Sequence, residues 1–358
     1  MDSGDGRSRV TEAVTGESDE VLTRVDGGVG FVTLNRPKAI NSLNQTMVEQ
    51  LSTVLIRWER DDAVRTVVLS GAGDRGLCAG GDVVTVYNSA RKDGVETRRF
   101  WRDEYRLDAQ IGRFAKPFVS LMDGIVMGGG VGVSAHANTR VVTETSKIAM
   151  PEVGIGFIPD VGGAFLLSRA PGALGLHAAL TGAPFSGADA IAMGFADHYV
   201  PHAQLDLFTQ AIVDGDVQRA LSAHAIEPPP SALAAQRDWI DKCFAGDTVE
   251  DIVAALRGHD AAPAQDAANL IASRSPIAVS VALEAVRRAG KLDTLEDVLV
   301  QDYRVSSASA RSNDLVEGIR AQIIDKDRNP KWSPPTLAAV SAAEVDAYFA
   351  PVDDDLSF

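Results

Sequence analysis

An α/β unit followed by a helical region is the fold class this sequence predicts, and three observations predict it. Short apolar strand patterns alternate with helical patterns from Val21 to Val200. Beyond Gln204 the strand patterns vanish, and Ala-rich helical segments alternate with breaks such as Glu227-Pro-Pro-Pro. Between them, Lys116 to Gly163 holds an apolar strand, three consecutive glycines, a small-residue helix and two acids in apolar surroundings. The division read from this is a disordered acidic tail over 1–20, a core over 21–204 and a helical region over 205–358.

Taken in order, Val21–Val25 and Gly30–Leu34 read as strands around the turn signal Asp26-Gly27-Gly28. Asn41 is placed to cap the next helix, whose Leu43, Met47, Leu51, Val54, Leu55 and Trp58 make one apolar stripe. Thr66–Ser70 reads as a strand. Leu77-Cys-Ala-Gly-Gly-Asp then ends a short strand in glycines, with Asp82 as a helix cap. Asn88–Gln110 reads as a helix carrying Phe100, Trp101, Glu104 and Tyr105. Phe118–Met122 is a strand, Val131–Ala137 a helix and Thr139–Glu144 a strand. Helical patterns follow at Leu174–Thr181 and Ala188–Met193, and a short strand at Gly194–Val200 closes the unit. In the C-terminal region Leu270–Arg288, Thr294–Ser306 and Asp314–Ile324 read as helices.

Composition narrows the function. With 358 residues, 45% of them apolar, the chain can bury a large core. A net charge of −15 argues against nucleic-acid binding, which needs many cation–phosphate contacts. Two cysteines and six scattered histidines suggest neither a disulfide framework nor a metal site, which fits the cytoplasm. No apolar run approaches the ~20 residues of a membrane span. Met1–Glu20 has neither an apolar leader core nor an Arg-rich, acid-poor composition. No Gly-x-Gly-x-x-Gly in a strand–helix setting suggests a nicotinamide.

Glycines opening a helix leave N–H groups bare at the positive end of the helix dipole, where an oxygen gaining charge is stabilised. Such an oxyanion hole takes donors from two segments, and the chain offers two glycine turns, 79–81 and 128–130. Glu152 in Met-Pro-Glu and Asp160 in Ile-Pro-Asp-Val-Gly-Gly would supply carboxylates. Read alone, the glycines equally fit close packing, the acids fit turns or caps, and Glu104 fits a solvated surface.

Leu77-Cys-Ala-Gly-Gly-Asp, Met127-Gly-Gly-Gly-Val-Gly and Met150-Pro-Glu…Ile158-Pro-Asp-Val-Gly-Gly resemble the crotonase, or enoyl-CoA hydratase/isomerase, superfamily over about Val21–Phe349. The resemblance implies a spiral of ββα units and a helical C-terminal region. It implies that the N–H groups of Gly81 and Gly129 hold the thioester carbonyl of an acyl-CoA. Ala79, Gly80 and Asp82 would then border the CoA, and its phosphate contacts would come from Lys38, near the first helix, or from Lys326, Arg328 or Lys331. Coenzyme A is then part of the substrate, and no other cofactor is implied.

Hydratases of this superfamily hold water between two glutamates, one of them three residues after the middle glycine. That position is Gly132 here, while Glu152 is retained and Asp160 stands where hydratases carry glycine. Pro-Asp-Val-Gly-Gly, Glu104-Tyr105, Arg274-Ser-Pro, Glu317-Gly-Ile-Arg-Ala and Asp325-Lys-Asp-Arg-Asn-Pro-Lys-Trp resemble the 3-hydroxyisobutyryl-CoA hydrolase branch. That branch implies thioester hydrolysis in valine breakdown. Glu152 would act as general base or nucleophile, Asp160 as its assistant or a hydroxyl partner, and Glu104 would orient the acyl group. The alternatives are an enoyl-CoA hydratase or isomerase, and a non-catalytic acyl-CoA binder. Assembly into a homo-oligomer is a further expectation.

Overall fold

The computed structural model describes residues 20–358, and the expected disordered tail lies outside the described residues except for Glu20. β1 (Val21–Asp26) and β2 (Val29–Leu34) form the expected hairpin, paired from Val21↔Leu34 to Asp26↔Val29. After it, α1 (Gln45–Arg60) starts three residues later than the expected cap allows. Asn44 is the cap, its side chain accepting from the Met47 N–H at 2.9 Å. Asn41 turns inward instead: it is fully buried, and its amide donates to the Ala72 and Gly76 carbonyls. It ties the loop after β2 to the loop that holds Ala72 and Gly76, a task that a surface cap could not do.

β3 (Thr66–Gly71) and α2 (Val83–Ala90) follow, with Asp82 capping α2 as expected. The single helix read over 88–110 is two. α2 ends at Ala90, a turn reaches Gly94 in the left-handed region, and α3 spans Val95–Gly112. β4 (Phe118–Met122) agrees with the sequence. β5 (Ile125–Met127) leads into α4 (Gly129–Ala135), which begins on the glycines themselves. β6 (Thr139–Val142) and β7 (Lys147–Ala149) precede α5 (Gly163–Arg169) and α6 (Leu174–Thr181). β8 (Phe185–Ser186), α7 (Gly187–Met193) and β9 (His198–Tyr199) complete the strand-bearing part.

Two sheets result. The larger has the order β1-β2-β3-β4-β6-β9 and is parallel after its first hairpin; the smaller is β5-β7-β8. One face of the large sheet meets α1 through Met47, Leu51, Leu55 and Trp58. The other face, with Phe31, Val68, Val119 and Val141, is covered by Phe208, Ile212, Val217 and Leu221. Those residues come from the first two helices after Gln204, Leu205–Asp214 and Val217–His224. The later helices share one apolar cluster with α1 and the sheet. The stretch read as one helix over 270–288 breaks at Arg274-Ser275-Pro276. Ser275 caps Pro276–Ala289 there, and proline at the first turn loses no hydrogen bond. Leu295–Ser309 is a helix, and Asn313–Ile319 continues into a wider turn at Arg320–Ile324. Among the described residues no helix is long and apolar enough to cross a membrane.

The cap gives a simple check of this account. Asn44→Ala removes one acceptor from the first turn of α1 and is expected to cost about 1 kcal/mol. A thermal melt reads it; an unchanged midpoint would mean the cap contributes nothing.

Candidate active site

The two glycine turns face each other. Gly80 and Asp82 spend their backbone groups on Leu43: Leu43 N–H donates to Gly80 O at 2.8 Å, and Asp82 N–H to Leu43 O at 2.7 Å. The intervening Gly81 therefore presents its N–H on the opposite side, by the alternation of an extended chain. Gly129 is the first residue of α4, so its N–H has no acceptor within the helix. Gly81 N lies 3.4 Å from the point where a side chain on Gly129 would start. Gly129 N lies 3.8 Å from the corresponding point on Gly80. Two amide nitrogens from segments almost fifty residues apart thus lie close together on one cavity wall.

Carboxylates close around them. Glu152 opens a short 3-10 turn, Glu152–Ile155, and is buried. Its Oε1 lies 2.8 Å from the point where a side chain on Gly128 would start, and its Oε2 has no protein partner. Gly128 holds φ 50 and ψ −122, a conformation closed to residues with a Cβ. Glu104, from α3, brings Oε1 to 2.5 Å from the starting point of a side chain on Gly129. Glu104, which read alone fits a solvated surface and which the resemblance puts at the acyl group, is buried to 2% exposure. Asp160 accepts from the Tyr105 hydroxyl at 2.6 Å, and Tyr105 shares a second bond of 2.7 Å with Ser306.

Burial governs the charge of these acids. It pushes Asp160 up to about 7 despite the Tyr105 hydrogen bond. Burial, and then the negative charge of Asp160, hold Glu104 and Glu152 well above the usual carboxylate range. Burial also lifts the neighbouring Cys78 thiol to about 12, which leaves it no role as a thiolate nucleophile at neutral pH.

These groups open into one cavity of about 800 Å³. Ala79, Gly80, Gly81, Asp82, Gly128, Gly129, Glu104, Glu152 and Asp160 all line it. Trp101 and Phe157 stack at 5.1 Å to form part of its apolar wall. Asp82 reaches the cavity, but its carboxylate already caps α2 and pairs with Arg36 at 3.1 Å. Lys38 does not line the cavity, although its neighbour Ala39 does. Lys326, Arg328 and Lys331 do not line it either; the lining from that end of the chain is Arg274, Leu315, Ile319, Gln322 and Ile323.

The wall Arg274 and the supporting Tyr105, Ser306, Asp108 and Asp302 were not singled out from the sequence as site residues. Arg274 and Tyr105 stood inside quoted motifs. Asp108 falls one helical turn after Glu104, a spacing that puts both on one face. Asp302 and Ser306 carry no local signal, because their helix reaches the site through tertiary packing.

A family model described as enoyl-CoA hydratase/isomerase matches residues 29–349. The chain belongs to this family. Among curated relatives, the 3-hydroxyisobutyryl-CoA hydrolase of Danio rerio is 38% identical, over 94% of this chain and 90% of its own. The Homo sapiens hydrolase of the same name is 35% identical, over 96% and 92%. Among solved structures, one described as a carnitinyl-CoA dehydratase from Mycobacterium thermoresistibile is 68% identical. It covers 95% of this chain and 99% of its own, with a TM-score of 0.93. An enoyl-CoA hydratase from Rhodobacter sphaeroides is 40% identical, with a TM-score of 0.90 and coverage of 95% and 100%. The expected family and α/β fold class are therefore correct. Within the family the relatives' names divide between hydrolysis and the addition or loss of water, and the site's own geometry has to discriminate.

Proposed function

We propose that the chain hydrolyses 3-hydroxyisobutyryl-CoA to 3-hydroxyisobutyrate and coenzyme A, a step of valine breakdown. The observation that carries this reading is the closeness of two backbone amides, Gly81 and Gly129, in one cavity with the buried carboxyl of Glu152. Amides so placed stabilise the oxygen of a thioester carbonyl as it becomes an oxyanion. Glu152 takes the proton of an attacking water, or attacks the carbonyl itself and is released by water. Asp160, held by Tyr105, receives the substrate hydroxyl, and Glu104 borders the acyl group. Balanced overall, thioester and water give a carboxylate, a thiol and one proton.

The alternative, addition or loss of water, is favoured by the names of the solved structures. Against it stands Gly132, where hydratases of the superfamily carry the second glutamate. A side chain there would start 2.7 Å from the Val161 Cβ and 2.8 Å from an Asp108 oxygen. No glutamate fits at position 132 in this packing. A panel of 3-hydroxyisobutyryl-CoA, crotonyl-CoA and carnitinyl-CoA separates the readings. Thiol release from the first is expected; a change in enoyl absorbance without thiol release would overturn the proposal. A reducing compartment such as the cytoplasm suits the two free, buried thiols of Cys78 and Cys243. The curated relatives are named mitochondrial.

The pH dependence follows from the same geometry. Asp160 and Glu152 act as anions, and an acid loses its anion as pH falls through its pKa. With Asp160 raised to about 7 and Glu152 well above the usual range, turnover is expected to fall as pH drops through about 7. A rate profile flat from about pH 6 to 8 would contradict this.

A further inference from the structure

The helix Leu295–Ser309 lines no part of the cavity, yet two of its fully buried polar side chains reach toward one residue that does. Asp302 and Ser306 stand one turn apart on it and so share a face.

Ser306 makes an uncommon bond for its place. Helical serines often return their hydroxyl to the carbonyl four residues back. Ser134, Ser280 and Ser309 do so here, at 2.6, 2.7 and 2.9 Å. Ser306 meets the Tyr105 hydroxyl instead, at 2.7 Å. Tyr105 has one hydrogen to give and gives it to Asp160 Oδ2 at 2.6 Å, so the hydrogen between Ser306 and Tyr105 comes from the serine. The result is a chain of donation with one direction, from Ser306 to Tyr105 to Asp160. Three residues earlier on both helices, Arg102 donates to the Tyr303 hydroxyl at 2.6 Å and keeps α3 and Leu295–Ser309 in this register.

Asp302 acts on the other side of Asp160. The backbone turns at Val161, whose φ of 53 is a conformation that a β-branched residue rarely takes. Such a turn persists only where its surroundings fix it. His136, at the end of α4, donates to the Val161 carbonyl at 2.8 Å, and Asp302 Oδ2 accepts from the Gly162 N–H at 2.9 Å. Asp160 lines the cavity, whereas Tyr105, Ser306 and Asp302 do not.

We propose that Ser306 and Asp302 are positioning residues through which the C-terminal helical region sets Asp160 for the substrate. Ser306 acts on its carboxylate through the Tyr105 hydroxyl, and Asp302 acts on its backbone through the Gly162 amide. This rests on the reading that Asp160 receives the substrate hydroxyl.

Two substrates read it: 3-hydroxyisobutyryl-CoA, and isobutyryl-CoA, which lacks the hydroxyl. A general defect slows both alike, whereas a misplaced Asp160 costs the hydroxylated one more. In Tyr105→Phe the ratio of their kcat/KM values is expected to fall about tenfold, as for one lost hydrogen bond to an acid. Ser306→Ala should lower the ratio about threefold by itself and no further when added to Tyr105→Phe, because both changes break one chain. Asp302→Asn keeps an acceptor for the Gly162 N–H and should hold the ratio within about twofold, whereas Asp302→Leu should lower it. An unchanged ratio in Ser306→Ala, additive losses in the double variant, or an Asn as damaging as Leu would each overturn the proposal. Independently of turnover, a crystal structure of Tyr105→Phe should show the Asp160 carboxylate moved from its wild-type position; an unmoved carboxylate overturns the proposal. A wild type that does not prefer the hydroxylated substrate counts against the hydroxyl role of Asp160 alone, and the crystal structure then decides the positioning.

Discussion

Glu152→Gln is expected to cut thiol release from 3-hydroxyisobutyryl-CoA at least a hundredfold while leaving the fold intact. The amide has the shape of the acid, so the contact beside Gly128 survives; the Oε1 there already lies 2.8 Å from the nearest point a side chain could start. What is lost is the capacity to take a proton or to attack a carbonyl. Two orders of magnitude correspond to about 2.7 kcal/mol of barrier, well within what one acid–base or nucleophilic group supplies. Melting should not suffer, because Glu152 Oε2 has no protein partner to lose. Thiol release and a melting curve on the same sample read both halves. Near-wild-type turnover would remove Glu152 from the chemistry.

Gly128→Ala should be as damaging to turnover and worse for the fold. At φ 50 and ψ −122 an alanine is strained by about 1–3 kcal/mol. Its methyl would also meet the Glu152 carboxylate at 2.8 Å. Either the turn rotates, taking the Gly129 amide off target, or Glu152 is displaced. Both routes predict a loss of at least a hundredfold in kcat with a lowered melting point. A variant that melts lower but turns over normally would show that the turn does not set the geometry of the reaction.

The sequence made some of this legible and hid the rest for physical reasons. The hairpin around Asp26-Gly27-Gly28 and the helix Leu174–Thr181 carry their signals locally, and the structure agrees with both. β5, β7 and β8 are two or three residues long, too short for alternation to register, yet they build the small sheet from which α4 departs. The onset of α4 on Gly129 was also hidden, since glycine is a poor helix former. That onset matters, because it makes the Gly129 N–H the first unpaired donor of the helix. Capping was read three residues early at Asn41, whose side chain tertiary structure recruits to two loop carbonyls. Ser275-Pro276 was a legible helix start that the Ala-rich run around it obscured.

The candidate site divides in the same way. The glycine turns, Glu152 and Asp160 stand out by spacing and apolar context, whereas Glu104 is separated from a solvated acid only by the family resemblance. Its burial is a product of α3 packing on α4 and on Leu295–Ser309. Lys38, Lys326, Arg328 and Lys331, expected as phosphate partners, do not line the cavity, because a charge in the sequence does not say which way a surface loop faces. Arg320, rather than any lysine, organises that loop, pairing with Glu317, Asp325 and Asp327.

Everything turns on whether one carbonyl oxygen meets both amides. A crystal structure of the Glu152→Gln variant holding intact 3-hydroxyisobutyryl-CoA measures this directly. The thioester oxygen is expected about 2.7–3.1 Å from both the Gly81 and Gly129 nitrogens, with residue 152 against the carbonyl carbon. A thioester bound with its oxygen on neither nitrogen, or turned away from residue 152, would contradict the account.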